Sequence, residues 1–448
     1  MSRSLASLVR RTEHHALFPR NMPEPASPRS IRRVVVASFI GTAIEWYDFF
    51  LYGTAAALVF NRLFFPNFDP IAGTVAAFAT YAVGFFARPL GGVIFGHFGD
   101  RVGRKSMLVT TLMMMGLATF CVGLLPTYGQ AGVLAPVLLV VLRFVQGLGV
   151  GGEWGGAVLM VVEHADRKRR GLFASWVQAG VPVGMLLANG VFSVVTWLPE
   201  PAFIAWGWRV PFLIGILLTG IGFFIRLRVL ESPAFEQAKN VRPAPRLPII
   251  EVLRTHPRNV LLAMGARLAE NAFFYIFTVW VLSYAVQQHG MKMDTLLGGV
   301  LLGSAAQLVA IPFFGSLSDR VGRRPVYLGG AIFLLVLAFP FFWLVDTKVT
   351  ALVWSAIVIG MIGHAAMYGP QAAFFSELFG TRTRYTGASL GYQLAAPFAG
   401  GLAPLIASAL LGWSHGKPWP IALYLIAMSV VTIGSVLMAA ETSRDDLR

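Results

Sequence analysis

The sequence predicts an all-α integral membrane protein whose twelve transmembrane helices form two pseudo-symmetric six-helix bundles. Three observations predict it. Of 448 residues, 56% are hydrophobic and only 13% charged, with a mean hydropathy of +0.67. That leaves too little polar surface for a soluble chain of this length, so lipid is the solvent for most of it. The apolar residues fall in long runs, each beyond the ~20 residues needed to cross a bilayer. Finally, the pattern G-x-x-x-D-R-V-G-R-[KR] begins at Gly96 and again at Gly315, 219 residues apart and about half the chain. A repeat at that spacing marks an internal duplication.

The runs lie at approximately 34–60, 71–95, 106–125, 132–162, 172–197 and 208–228, then 259–287, 296–316, 325–345, 350–376, 387–412 and 419–439. Backbone polar groups in lipid must be satisfied within the segment, which makes these runs helices. They are continuously apolar, not alternating, which excludes a β-barrel. The expected organisation is a basic, disordered arm over 1–32, a six-helix bundle over 33–228, a linker over 229–257, a second bundle over 258–440 and a tail over 441–448. The linker carries Pro233, Pro243, Pro245 and Pro248 among basic residues, with room for one short helix. The arm lacks the ~7–15-residue apolar core of a cleavable signal.

A net charge of +15 would suggest nucleic acid in a soluble protein, but its distribution argues otherwise. Most Lys and Arg fall in the termini and in alternate loops on one side. Only Arg62, Arg209, Lys292, Lys348 and Lys417 lie in loops on the other. That asymmetry places both termini in the cytoplasm of a cell whose inner (plasma) membrane holds the chain. The expected partners are the bilayer, a small-molecule substrate and protons, with a monomer as the functional unit.

The repeated loop joins two apolar runs. Gly96, Gly99 and Gly103 permit close backbone approach and turning. Asp100 is suited to a helix N-terminus and to pairing with a base, while Arg101, Arg104 and Lys105 supply charge. Asp319 and Arg323 hold the matching places in the second copy. Glu163 and Glu377 end the fourth and tenth runs, each followed by basic residues and a glycine. These residues read either as a gate that holds one state or as charges that only enforce topology.

Ionisable residues at membrane depth are costly, which makes them candidates for function. At ~1.5 Å per helical residue, Glu45 and Asp48 lie near mid-bilayer in the first run. They are three residues apart on neighbouring parts of one face, and two such carboxylates cannot both ionise cheaply without a cation. They are the expected proton-coupling residues, with Arg143 the expected partner of Asp48 and Tyr52 a hydrogen-bonding candidate further along the face. Arg143 and Gln146 share a stripe on the fourth run, whereas Glu153 points elsewhere among packing glycines. Arg267, Glu270, Asn271 and Tyr275 share one on the seventh. There Arg267 and Glu270 either line a cavity or neutralise each other. Arg88 either binds an anion or reaches toward Asp100. His364 reads as a proton relay or as an interhelical hydrogen bond, and Gln178 and Gln393 as pore contacts.

There is no H-E-x-x-H, no G-x-x-x-x-G-K-[ST] and no nucleophile elbow. No enzyme, cofactor or metal site is therefore expected, and ATP-driven transport by this chain alone is excluded. Cys121 lies in an apolar run and reads as buried packing.

The repeated loop resembles the signature of the major facilitator superfamily. There it is linked to a cytoplasmic latch favouring an outward-open state. Further likeness comes from Glu45-Trp46-Tyr47-Asp48-Phe49, Arg88-Pro89-Leu90-Gly91-Gly92, Arg143-Phe144-Val145-Gln146-Gly147, Gly151-Gly152-Glu153-Trp154, Gly207-Trp208-Arg209 and Glu231-Ser232-Pro233. Together these resemble the metabolite–proton symporter branch from about residue 31 to 440, and the shikimate-type members most. One departure is Glu45, where such members often have Asp. The resemblance implies proton-coupled import of a small organic acid, shikimate- or dicarboxylate-like, by alternating access. It leaves a proline- or betaine-type symporter and a drug–proton antiporter open, and from another class a sensor that does not transport.

Overall fold

The computed structural model describes residues 28–68, 70–227, 248–380 and 384–443. The ends of the arm, linker and tail expected from the sequence fall partly outside these residues, as do the side chains of Asp100, Arg101 and Arg104. Twelve helices among the described residues are long and apolar enough to span a bilayer, and no strand occurs among them. In chain order they are α1 (Pro28–Ala55), α2 (Pro70–Val102), α3 (Arg104–Leu124), α4 (Leu134–His164), α5 (Arg170–Val195) and α6 (Val210–Leu227). The second set is α7 (Pro257–His289), α8 (Met293–Val321), α9 (Arg323–Asp346), α10 (Thr350–Glu377), α11 (Arg384–Trp413) and α12 (Trp419–Met438). A short helix, Pro248–Thr255, precedes α7.

Twelve crossings bring both ends of the chain to one face, here called the terminal face. Trp197, Trp206, Trp343, Trp413 and Trp419 stand exposed near the opposite face, where an indole can be half in hydrocarbon and half in water. Cys121, expected to be buried, is exposed on α3, because it faces away from the bundle.

The two loop copies make the same break. The helix before each ends at a glycine with φ of 124° at Gly103 and 116° at Gly322, and the next helix starts at once. Such an extended positive-φ backbone is essentially confined to glycine. The other motif glycines serve close approach: a Cβ on Gly315 would fall 2.4 Å from the Ser175 hydroxyl of α5.

Three helices carry a π turn: Ala56–Phe60 directly after α1, Ile276–Trp280 within α7 and Ala396–Gly401 within α11. A π turn admits one extra residue and changes the direction in which later side chains project. All three lie on the far-face side of the mid-membrane charges and border the space between the bundles.

Candidate functional site

Bundle 1 carries its polar centre around Phe49. The Arg88 guanidinium lies 4.3 Å from the Phe49 ring centroid and that of Arg143 4.5 Å from it. Arg88 also lies over Phe85, and Arg143 over Tyr52 and Tyr81. Both arginines are 1% exposed, yet neither has a carboxylate partner among the described residues, and Nε and Nη2 of each lack an acceptor. Arg143 makes one hydrogen bond, from Nη1 to Gln146 Oε1 at 3.2 Å. Cation–π contacts contribute up to ~2 kcal/mol when desolvated, whereas burying an ion costs several kcal/mol after relaxation. The rings around each arginine soften its burial but carry no net negative charge, so an anion between the two guanidiniums would be strongly favoured.

The expected Asp48–Arg143 pair does not form. Asp48 points between α1, α3 and α6, beside Thr119 and Gly215, and neither oxygen has a hydrogen bond of normal geometry among the described residues. The two are linked indirectly: Gln146, which accepts from Arg143, donates to the Thr119 hydroxyl at 2.7 Å, and Thr119 borders Asp48. The Tyr52 hydroxyl donates to Thr80 at 2.8 Å, while its ring face meets Arg143. Glu45 is buried within electrostatic reach of Arg88, Arg226, Glu153 and Asp48. Glu153 ion-pairs with Arg226 of α6, which also donates to the Leu108 carbonyl.

Bundle 2 is closed on itself. Glu270 Oε1 meets His364 Nε2 at 2.8 Å, while Oε2 accepts from Gln371 at 3.2 Å and lies 3.6 Å from Arg267 Nε. Arg267 donates to the Tyr392 carbonyl at 2.9 Å and lies over the Tyr392 ring. That ring stacks on Trp154 of bundle 1 at 3.7 Å. Between the bundles a cavity of about 10 Å³, no more than one water would fill, is lined by Trp46, Arg267, Glu270, Asn271, His364 and Tyr392, among others. It is smaller than the ~300–1,000 Å³ of drug-sized sites. Asn271 Nδ2 and the Tyr275 hydroxyl also lack partners among the described residues, and Tyr275 stands edge-on to Phe85 of the Phe49 cage at 5.2 Å. A second cavity, about 50 Å³, lies toward the far face between Phe50, Thr54, Asn189, Thr278 and Leu282.

The terminal face is fastened across the bundles. Asp319 accepts the backbone N–H of Gly171 at 2.8 Å and of Leu172 at 2.9 Å, capping the start of α5. Arg323 bonds Asp319 at 2.7 Å and Glu377 at 3.2 Å, and Glu377 also holds Arg170 of bundle 1 at 3.3 Å. Glu163 of bundle 1 lies 3.9 Å from Arg384 of bundle 2. Deeper in, Gln393 donates to the Val150 and Gly151 carbonyls, and Gln178 accepts from Trp154 at 2.9 Å. Gly96 lies against Thr386 and Tyr385 of α11.

Residues 38–395 and 306–446 match the profile of the Major Facilitator Superfamily. The chain belongs to that superfamily. It is 43% identical to the shikimate transporter of Escherichia coli (strain K12) over 417 residues, covering 92% of this chain and 95% of the relative. Another relative, the inner membrane metabolite transport protein YhjE of the same organism, is 40% identical over 93% of this chain and 96% of its own length. Among solved structures, that of the proton:xylose symporter XylE bound to 6-bromo-6-deoxy-D-glucose superposes with a TM-score of 0.74 at 16% identity. It covers 94% of this chain and 98% of that one, a likeness of fold. These relatives are transporters, as the superfamily's bundle pair leads one to expect.

Several members of this site escaped the sequence reading. Arg226 sits one residue from the end of α6 and reads as an ordinary boundary charge. Thr119, Gln307, Tyr327 and Gln371 are single polar residues inside apolar helices. The only available signal was that each interrupts a run that has no other need for it.

Proposed function

We propose that this protein imports a small organic anion together with protons, by alternating access of its two bundles to a site near mid-membrane. The observation that carries the reading is the pair of buried guanidiniums, Arg88 and Arg143, with no carboxylate in ion-pair contact among the described residues. A carboxylate entering between the bundles would supply it, and Arg can bind such a group in bidentate fashion. Asn271, Tyr275 and Gln146 offer polar contacts for the rest of a hydroxylated acid, of which the shikimate transported by the 43% relative is one.

Asp48 is the coupling carboxylate in this reading, with Glu45 beside it. An acid without a partner in an apolar setting binds a proton readily, and Thr119 and Gln146 connect it to Arg143. The Asp319–Arg323–Glu377–Arg170 contacts hold the terminal face shut while the far face admits the anion. The terminal face is cytoplasmic by the charge rule, in an inner membrane, and a single chain suffices.

Labelled organic acids and betaines, offered to proteoliposomes under an imposed pH gradient, test the reading. Accumulation of a shikimate-like or dicarboxylic acid is expected. Preference for a betaine overturns the anion assignment, and counterflow of protons against substrate indicates an antiporter. Asp48→Asn should keep substrate exchange while losing uphill uptake, and normal accumulation by this variant removes Asp48 from the coupling step.

A further inference from the structure

Behind Glu270 stands a chain of groups that fixes where protons reside. The Gln307 amide nitrogen donates to the Met361 carbonyl at 3.0 Å, and the same nitrogen lies 2.8 Å from His364 Nδ1. A carbonyl only accepts, so this end of Gln307 is the NH2 group, and Nδ1 must accept from it. The proton of neutral His364 is then on Nε2, where it is donated to Glu270. A second proton on His364 would set N–H against N–H at Gln307. On the other side Gln371 donates to both Glu270 and the Tyr327 hydroxyl, whose own proton goes to the Ala266 carbonyl. The titratable and charged groups facing Glu270 are therefore Arg267 and Tyr275 on its own helix, His364 and Tyr368 on α10, Tyr327 on α9 and Tyr392 on α11. Of these, Arg267 alone carries charge when His364 is neutral.

We propose that Glu270 is a second proton acceptor, and that it takes its proton when the substrate's carboxylate replaces it as the counter-ion of Arg267. This deepens the symport reading above and rests on it. In the empty site Glu270 is ionised and fully bonded, so it has no cause to bind a proton. When the bundles part and an anion drawn in by Arg88 and Arg143 reaches Arg267 on the wall of the gap between them, two carboxylates would share one guanidinium. Protonating Glu270 removes that conflict, and the charge inside the membrane does not change: one negative charge and one proton enter together. Because Arg267 lies on the Tyr392 ring, and that ring stacks on Trp154 across the bundles, the exchange acts on the contact that separates the site from the terminal face. His364 is a positioning residue, held by Gln307.

Proton uptake on binding tests this in the purified full-length chain. The protons taken up per anion are read by calorimetry in two buffers of different ionisation heat. Shikimate is the first probe, replaced if necessary by whichever acid the wild type accumulates. Glu270→Gln should take up one proton fewer per anion, and the rise of its affinity as pH is lowered should be shallower than the wild type's by up to about tenfold per pH unit, the limit for one linked proton. His364→Gln, whose amide can both accept from Gln307 and donate to Glu270, should keep the wild-type proton count. His364→Phe should move the affinity rise to higher pH. An unchanged proton count in Glu270→Gln overturns the proposal, as does loss of uptake confined to His364→Gln, which would make the imidazole the acceptor. A wild type that binds anions without protons sinks the symport reading itself. A Glu270→Gln variant that behaves as wild type while Asp48→Asn does not sinks only this inference.

Discussion

The two bundles descend from one repeated unit, and each places an acid at mid-membrane: Glu45 and Asp48 on α1, Glu270 on α7. Their surroundings differ. Glu270 has an imidazole, an amide and a guanidinium around it, whereas among the described residues Asp48 has no hydrogen bond of normal geometry and the arginines nearest the centre of bundle 1 have no carboxylate in ion-pair contact, Glu45 acting on Arg88 only from a distance. The only closed ion pair in that bundle's interior among the described residues, Glu153–Arg226, lies toward the terminal face. A scaffold can neutralise its buried charges internally, as bundle 2 does. Where it has not, the free energy is left for something that comes and goes.

Truncations should separate the two centres most sharply. Arg143→Ala should reduce anion uptake about 30-fold or more, since removing one member of a buried charged contact typically costs ~2–5 kcal/mol. It should leave thermal stability unchanged or higher, because an unbalanced charge has gone. Glu270→Ala should behave oppositely in stability: it strands Arg267, and breaking a buried pair costs ~3–5 kcal/mol. Thermal unfolding in detergent measures both, and a stability loss in Arg143→Ala as large as in Glu270→Ala would erase the distinction.

The Glu153–Arg226 pair sharpens it from another side. Glu153→Gln should destabilise by a similar ~3–5 kcal/mol, while replacing both residues with leucine and methionine should recover most of the loss. Uptake should survive in the double variant if this pair is structural. Its loss there, with stability restored, would move the pair into the transport site.

Much of this was legible in the sequence. Length and continuity of apolar runs are local properties, so the twelve helices fall where the runs are, and the loop repeat survives as identical residues. Depth in the membrane is also a local count, which is why Arg143, Arg267 and Glu270 were placed at mid-bilayer. Which neighbour each one faces is not local. Asp48 and Arg143 share a depth, but their side chains leave α1 and α4 toward different helices, and Thr119 and Gln146 fill the gap. The π turns after α1 and inside α7 and α11 add a second obstacle, since one inserted residue turns everything beyond it by about 100°, the angle per residue of a helix. Arg226 was missed for a third reason: an arginine at a helix end satisfies the boundary rule whether or not it reaches inward.

The terminal-face fastening offers a smaller effect. Asp319→Asn keeps an acceptor for the start of α5 but loses the charge facing Arg323, a change of about 1–3 kcal/mol. Asn189→Cys, at the far-face cavity, should then label more slowly as the population shifts toward a closed far face. Unchanged labelling would leave those contacts as topology alone.

The smallest expected effect lies just beyond α12, where bundle 2 has a contact for which no bundle 1 counterpart occurs among the described residues. Glu441 accepts the backbone N–H groups of Arg323 at 2.9 Å and Arg324 at 3.0 Å, at the start of α9. The adjacent Thr442 hydroxyl donates to Glu377 at 2.7 Å. Partial burial by itself would raise the Glu441 carboxyl, but these N–H donors outweigh it and hold it below the usual carboxylate range. A group depressed on folding stabilises above its unfolded value and loses that contribution as pH falls through the folded one. Glu441→Gln should therefore match an acidified wild type. Its deficit in thermal stability should be small at pH 7, because the group is only part-buried and screened, should begin to shrink as pH falls below about 4, near the ordinary glutamate value, and should vanish once pH is below the lower folded value. A deficit that stays constant across that range would show that Glu441 contributes through its shape and not its charge, and the motif's second copy would then need no help from the tail.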